Sequence, residues 1–177
     1  MYSKIINELE NSHTEILGIL NGIKKIDDQL QKNEKDLYWT EVRMENQLRI
    51  FTKEEREEVE KVRILVTEIR DALESLDLKT KEILERVLVL RKIVSKMDTE
   101  EGVIIKEYRN KLFVETLLLY QSEVSGLLKQ WIQLREKFAS YSAKADLLQS
   151  ELRNKYQIRN RKLSFKIMSF FQKNRAR

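Results

Sequence analysis

The chain has 177 residues, 41% of them hydrophobic and 36% charged, with 34 Lys and Arg against 29 Asp and Glu for a formal net charge of +5. The absence of cysteine excludes disulfides, thiolate chemistry and Cys-based zinc or iron–sulfur sites, and a single histidine leaves no imidazole set for a metal cluster. With no proline and only four glycines, few positions interrupt a helix, and the interspersed charges match the composition of long helices and coiled coils.

Steps of seven from Leu9 give Ile16, Ile23, Leu30, Leu37, Met44 and Phe51, with Ile5, Ile19 and Ile26 on the companion positions. This seam predicts a first helix near residues 2–51. The companion row then reads Asn33, Thr40 and Gln47, so the seam narrows and turns polar, and Tyr38, Val42 and Leu48 are expected to widen the stripe in their place. Gly18 and Gly22 stand one turn apart and are expected to permit close approach of another helix. Glu10 and His13 have the spacing of a di-iron half-motif, but such a centre needs that motif twice plus two further carboxylates. His13 is therefore expected to be an ordinary surface or seam-flanking residue. Neither phosphate-binding glycine pattern occurs.

Thr52 followed by Glu55 is a capping-box pattern directly after Phe51, which places the first turn there and a second helix near 53–97. Its seam runs Val62, Ile69, Leu76, Ile83, Leu90, Met97 and Ile104, with Val59, Val66, Leu73, Val87 and Val94 beside it. Leu65, Leu84 and Leu88 widen the stripe beyond two rows, as expected of a helix with more than one neighbour. The glutamates between Lys53 and Lys61 suit a helix start, where they complement the dipole and pair with Lys or Arg three or four residues on. They are read as solvated, not catalytic.

Asp98 with Glu101, next to Gly102, repeats the cap signature and puts a second turn near 97–102. A third helix near 99–152 carries the most regular row: Leu117, Tyr120, Val124, Leu127, Trp131, Leu134, Phe138, Tyr141, Ala145, Leu148 and Leu152. Trp131, Phe138 and Tyr141 are expected to be core first, and the first eight of the row, from Leu117 to Tyr141, are the candidate interface if the seam faces a partner, where aromatic anchors make strong contact points. Helices of this length would each span about 65 to 90 Å. The expected fold is all-α, an elongated antiparallel bundle or coiled coil of about three long helices over residues 1–152, with a basic C-terminal helical extension over 153–177. The heptad period is common to a closed bundle and an intermolecular coiled coil, and both stay open at this point.

The basic segment holds nine Lys or Arg and no acid, leaving 25 basic and 29 acidic side chains in the preceding 152 residues. Arg153, Lys155, Arg159, Arg161, Lys162, Lys166, Lys173, Arg175 and Arg177 are the candidate contacts to an anionic surface. Leu163, Ile167, Phe170 and Phe171 fall on one side of a helix and Lys162, Lys166 and Lys173 on an adjacent side, while Phe165 and Met168 broaden the apolar part. Such a helix suits an anionic membrane surface or a partner's groove, or continues the bundle. Nucleic acid is less apt, since phosphate contacts need no interleaved phenylalanines.

Asn7 and Glu8 cut short the apolar start that a signal peptide requires, and the longest apolar stretch, 112–128, contains Glu115 and Glu123. No signal peptide or spanning helix is expected, and the location expected is intracellular, with the cytoplasm first. The functional expectation is a non-enzymatic coiled-coil scaffold or adaptor subunit of a larger assembly, without cofactor, metal or small-molecule substrate. Its partners would be other helical proteins or further copies of itself. A peripheral binder of anionic membrane or nucleic acid is the competing class, and a helical chaperone is a third.

Overall fold

Apolar residues recurring every three or four positions, in a chain without proline, bury themselves by laying helices side by side. The computed structural model describes the backbone of residues 2–46, 51–97 and 103–175, and the side chains of 6–46, 51–94, 111 and 114–169. Three helices account for every described residue except Phe51 and Thr52: α1 (Tyr2–Asn46), α2 (Lys53–Met97) and α3 (Val103–Arg175). The protein is an all-α helical bundle. The second turn expected near 97–102, with its Asp98 and Glu101 cap and Gly102, lies on residues outside the described ones, as do Gln47 and Leu48. α3 is a single helix through residues 152 and 153, so the basic segment continues the helix that carries the aromatic row.

The start of α2 is fixed locally. The Thr52 N–H donates to Glu55 Oε2 at 2.9 Å and the Glu55 N–H donates to Thr52 Oγ1 at 3.2 Å, so each residue satisfies a backbone donor that the first turn would leave unpaired. Glu54 and Glu55 also place negative charge at the positive end of the helix dipole.

All three helices contribute to each of two compact units, one of residues 1–28 and 70–136, the other of residues 29–69 and 137–177. In the first unit, Gln121 on α3 donates to Glu8 on α1 at 3.1 Å, and the Trp131 ring lies against Gly22, so α1 and α3 run parallel. α2 joins them through Arg91 to Glu10 at 3.6 Å and Arg86 to Glu123 at 2.8 Å. The core takes Leu9, Ile16, Ile19, Ile23 and Ile26 from α1, the rows from Leu73 to Val94 from α2, and Leu117, Tyr120, Val124, Leu127 and Leu134 from α3. Thr80 fills the one position that interrupts the Val59-to-Val94 row. It is fully buried, and its hydroxyl is satisfied by donation to the Leu76 carbonyl at 2.6 Å.

In the second unit, Glu68 meets Lys137 at 2.8 Å and Glu55 meets Arg159 at 3.1 Å, which runs α2 antiparallel to α3. Leu30, Leu37, Met44 and Phe51 pack with Val59, Val62, Val66 and Ile69 and with Phe138, Tyr141, Ala145 and Leu152. The polar row of α1 stays in this seam. Asn33 is half-buried and hydrogen-bonds Tyr141, and Thr40 is half-buried with its hydroxyl turned back to the Asp36 carbonyl at 3.0 Å. Tyr38, expected to widen the stripe, is 59% exposed instead with its ring edge-on to the neighbouring Trp39, while Val42 is half-buried. A tyrosine there faces water because Leu37 and Met44 already occupy the buried row on either side of Thr40.

Candidate interaction surfaces

The structure assigns the aromatic row of α3 to the inside of the chain. Leu117, Tyr120, Val124, Leu127, Leu134, Phe138 and Tyr141 are all buried, and only Trp131 is half-buried, with the Arg135 guanidinium 5.9 Å from its ring. Ala145 and Leu152 continue the row as buried residues, and Leu148 is half-buried. A Cβ on Gly22 would stand 2.6 Å from Trp131 Cη2, so glycine is what admits the indole. Gly18 has open space around it and serves no close approach.

Burial governs the two tyrosines of this row. Removal from water pushes Tyr120 up to about 12, the Glu15 and Glu123 carboxylates adding to the effect. Ser12 approaches its hydroxyl without completing a hydrogen bond, and among the described residues it is the buried side-chain oxygen left without a partner. Burial also raises Tyr141, opposed by its bond with Asn33.

Once these rows are spent, a second set of apolar side chains in the first unit remains outside. Val89 and Ile93 on α2 and Leu119 on α3 line a groove of about 670 Å³, floored by Leu90 and Tyr120. Leu119 is 70% exposed, and its neighbour Leu118 is exposed as well. The rim is charged: Glu82 and Glu85 stand on α2, and Arg86 spans to Glu123 with bonds of 2.8 and 2.9 Å to the two carboxylate oxygens. Among the described lining residues, three carboxylates against one guanidinium make the rim net acidic. Sequence reading missed Val89, Ile93 and Leu119 as a surface. The signal for Val89 and Leu119 was present in the unbroken runs 87–90 and 117–119, which put apolar side chains on more faces than a buried seam uses.

The second unit offers a different surface. Phe51 stacks on Tyr156 with planes 10° apart and centroids at 6.2 Å, and Arg43 lies over the same ring at 5.9 Å, which holds α3 against the last turns of α1 and the residue two before α2. One helical turn further on, Lys155 and Arg159 close on Glu55 at 3.0 and 3.1 Å. Burial acts against the Glu55 charge, but the Thr52 N–H, Arg159 and Lys155 outweigh it and hold its carboxyl down at about 2. Two of the nine candidate cations are thus committed within the chain. Arg153, Arg161, Lys162 and Lys166 are exposed, whereas the side chains of Lys173 and Arg175, and all of Arg177, lie outside the described residues.

His13 is half-buried on α1, and among the described residues no group of three or more His, Cys, Asp or Glu is placed to hold a metal. No described helix is long and apolar enough to cross a membrane. No protein-family model, curated protein or solved structure matches the chain.

Proposed function

We propose that the protein is a non-enzymatic helical scaffold whose first unit receives an amphipathic helix of a partner protein in the groove between α2 and α3. The observation that carries this reading is the exposure of Val89, Ile93 and Leu119 beside a core that is already closed by other residues. From Glu82 to Ile93 the α2 wall rises about 16 Å, enough for three turns of a docked helix with anchors at three- and four-residue spacing. The acidic rim selects a partner helix with Lys or Arg flanking its apolar stripe, which sets register and suppresses acidic competitors. The partner is another helical chain, further copies of this one included. The aromatic row of α3 acts here as the support that fixes the groove walls, and the partner meets the row beside it.

The test is a photo-crosslinking amino acid installed at Leu119 in the full chain in its native cells, with Lys144 on the exposed side of α3 as the control position. The expected result is a discrete adduct from position 119 that Ile93→Glu abolishes and that contains a basic amphipathic helix. Adducts no more abundant at 119 than at 144 would overturn the proposal.

A further inference from the structure

Beyond Lys155 and Arg159, which engage Glu55, every residue from Arg161 to Ser169 is exposed. Among them Leu163, Phe165, Ile167 and Met168 are apolar, and Phe165 is 75% exposed. At about 100° per residue these four span an arc of about 200° around the helix, and Lys162 and Lys166 stand together opposite its middle. That distribution is too wide for a groove. A single docked partner covers an apolar stripe of roughly 100° and would leave either the Leu163 flank or the Phe165 flank in water.

A bilayer interface surrounds such an arc on all its sides. Headgroup-level immersion buries Leu163, Ile167, Met168 and Phe165 together, leaves Lys162 and Lys166 on the wet side, and lets the long Arg161 stem reach back to lipid phosphates. Charge selects the lipid: no acidic residue follows Glu151, and no described residue pairs with Arg161, Lys162 or Lys166. Insertion across the membrane is not involved, since no described helix is apolar enough to span it. We propose that the C-terminal stretch of α3 is an in-plane anchor for anionic lipid surfaces. The proposal rests on this helix end alone and stands or falls separately from the groove of the first unit.

The experiment is co-sedimentation of the full chain with phosphatidylcholine vesicles, with and without about 30% phosphatidylserine, over a salt series. The full chain should sediment with the anionic vesicles at low salt and stay in solution with the neutral ones. Each cation near the surface is worth about a fivefold change in affinity, so Arg161→Gln, Lys162→Gln and Lys166→Gln together should weaken binding on the order of 100-fold. Phe165→Ser with Ile167→Ser should weaken it by about tenfold or more while every charge is retained. None of these side chains is packed, so helix content should match the parent in both variants. A full chain that stays in the supernatant with anionic vesicles at low salt would overturn the proposal. So would unchanged binding of the Phe165→Ser, Ile167→Ser variant, because a charge-only contact is what a polyanion such as duplex DNA gives.

Discussion

Glu55 stands where the start of α2 meets α3, and removing it tests both connections at once. Glu55→Ala deletes one half of the capping box, worth about 1 kcal/mol, and the charged hydrogen bonds to Lys155 and Arg159, worth about 1.5–3 kcal/mol. Lys155 and Arg159 are 47% and 34% exposed and regain water when unpaired, which favours the lower end of that range. The expected loss is about 2–3 kcal/mol, a fall of about 1 M in the urea midpoint. Acid titration supplies a second reading. The folded carboxyl is held at about 2, below its ordinary 4.5, so its contribution is complete above pH 4.5 and disappears as pH falls towards 2. At about 1.4 kcal/mol per pH unit the shift sets a ceiling near 3 kcal/mol, which solvent access lowers to about 2. Glu55→Gln retains an acceptor for Thr52 but carries no charge. The stability difference between wild type and Glu55→Gln should therefore be constant above pH 5 and shrink between 4.5 and 2. A difference independent of pH over that interval, or an Ala variant with the parent's urea midpoint, would refute the reasoning.

Gly22→Ala should lower stability by about 1–2 kcal/mol, because overpacking against the Trp131 ring outweighs the gain in helix propensity, whereas Gly18→Ala, in open space, should raise it by up to about 1 kcal/mol. In a Trp131→Ala background the Gly22 substitution should turn stabilising, and thermal melts of the four proteins decide it. Phe138→Ala should cost about 3–5 kcal/mol in chemical denaturation, since the ring is buried within the second unit; an unchanged midpoint would place it at an intermolecular contact. Tyr120→Phe removes a buried hydroxyl without a partner and should be neutral or stabilising by about 1 kcal/mol, while Tyr141→Phe breaks the bond to Asn33 and should cost about 1 kcal/mol. Opposite signs for the two tyrosines are the result to look for.

The three seams were readable because burial along a helix repeats at its own turn: Leu9 to Phe51, Val59 to Val94 and Leu117 to Leu152 all sit where the spacing puts them. What packs against each seam was not readable, since side chains follow one packing rule within a chain and between chains. The aromatic row was open to both readings for that reason, and within the chain its residues from Leu117 to Tyr141 are buried except Trp131, which is half-buried. Tyr38 misled through its hydrophobicity. Asn33 is kept in the seam by a hydroxyl on Tyr141, more than a hundred residues away, and no local pattern encodes that bond. The pairing of Glu55 with Lys155 and Arg159 is equally remote in sequence, although the Thr52–Glu55 cap that positions the carboxylate was legible. The exposed groove follows from a count that the seam alone omits: runs such as Leu117, Leu118 and Leu119 supply three apolar directions where a core takes one.

The placement of the two tryptophans makes the molecule its own spectroscopic probe. Trp39 belongs to the second unit, half-exposed at the edge of Tyr38, and Trp131 belongs to the first, beside Gly22 and under Arg135. Trp39→Phe and Trp131→Phe therefore yield proteins whose emission follows one unit each. Because every helix supplies residues to both units and helix propagation is cooperative, the two emission changes are expected at the same urea concentration. Continuous backbone is thus expected to make two separate cores a single unit of stability, so that damage to either core should lower the melting of both.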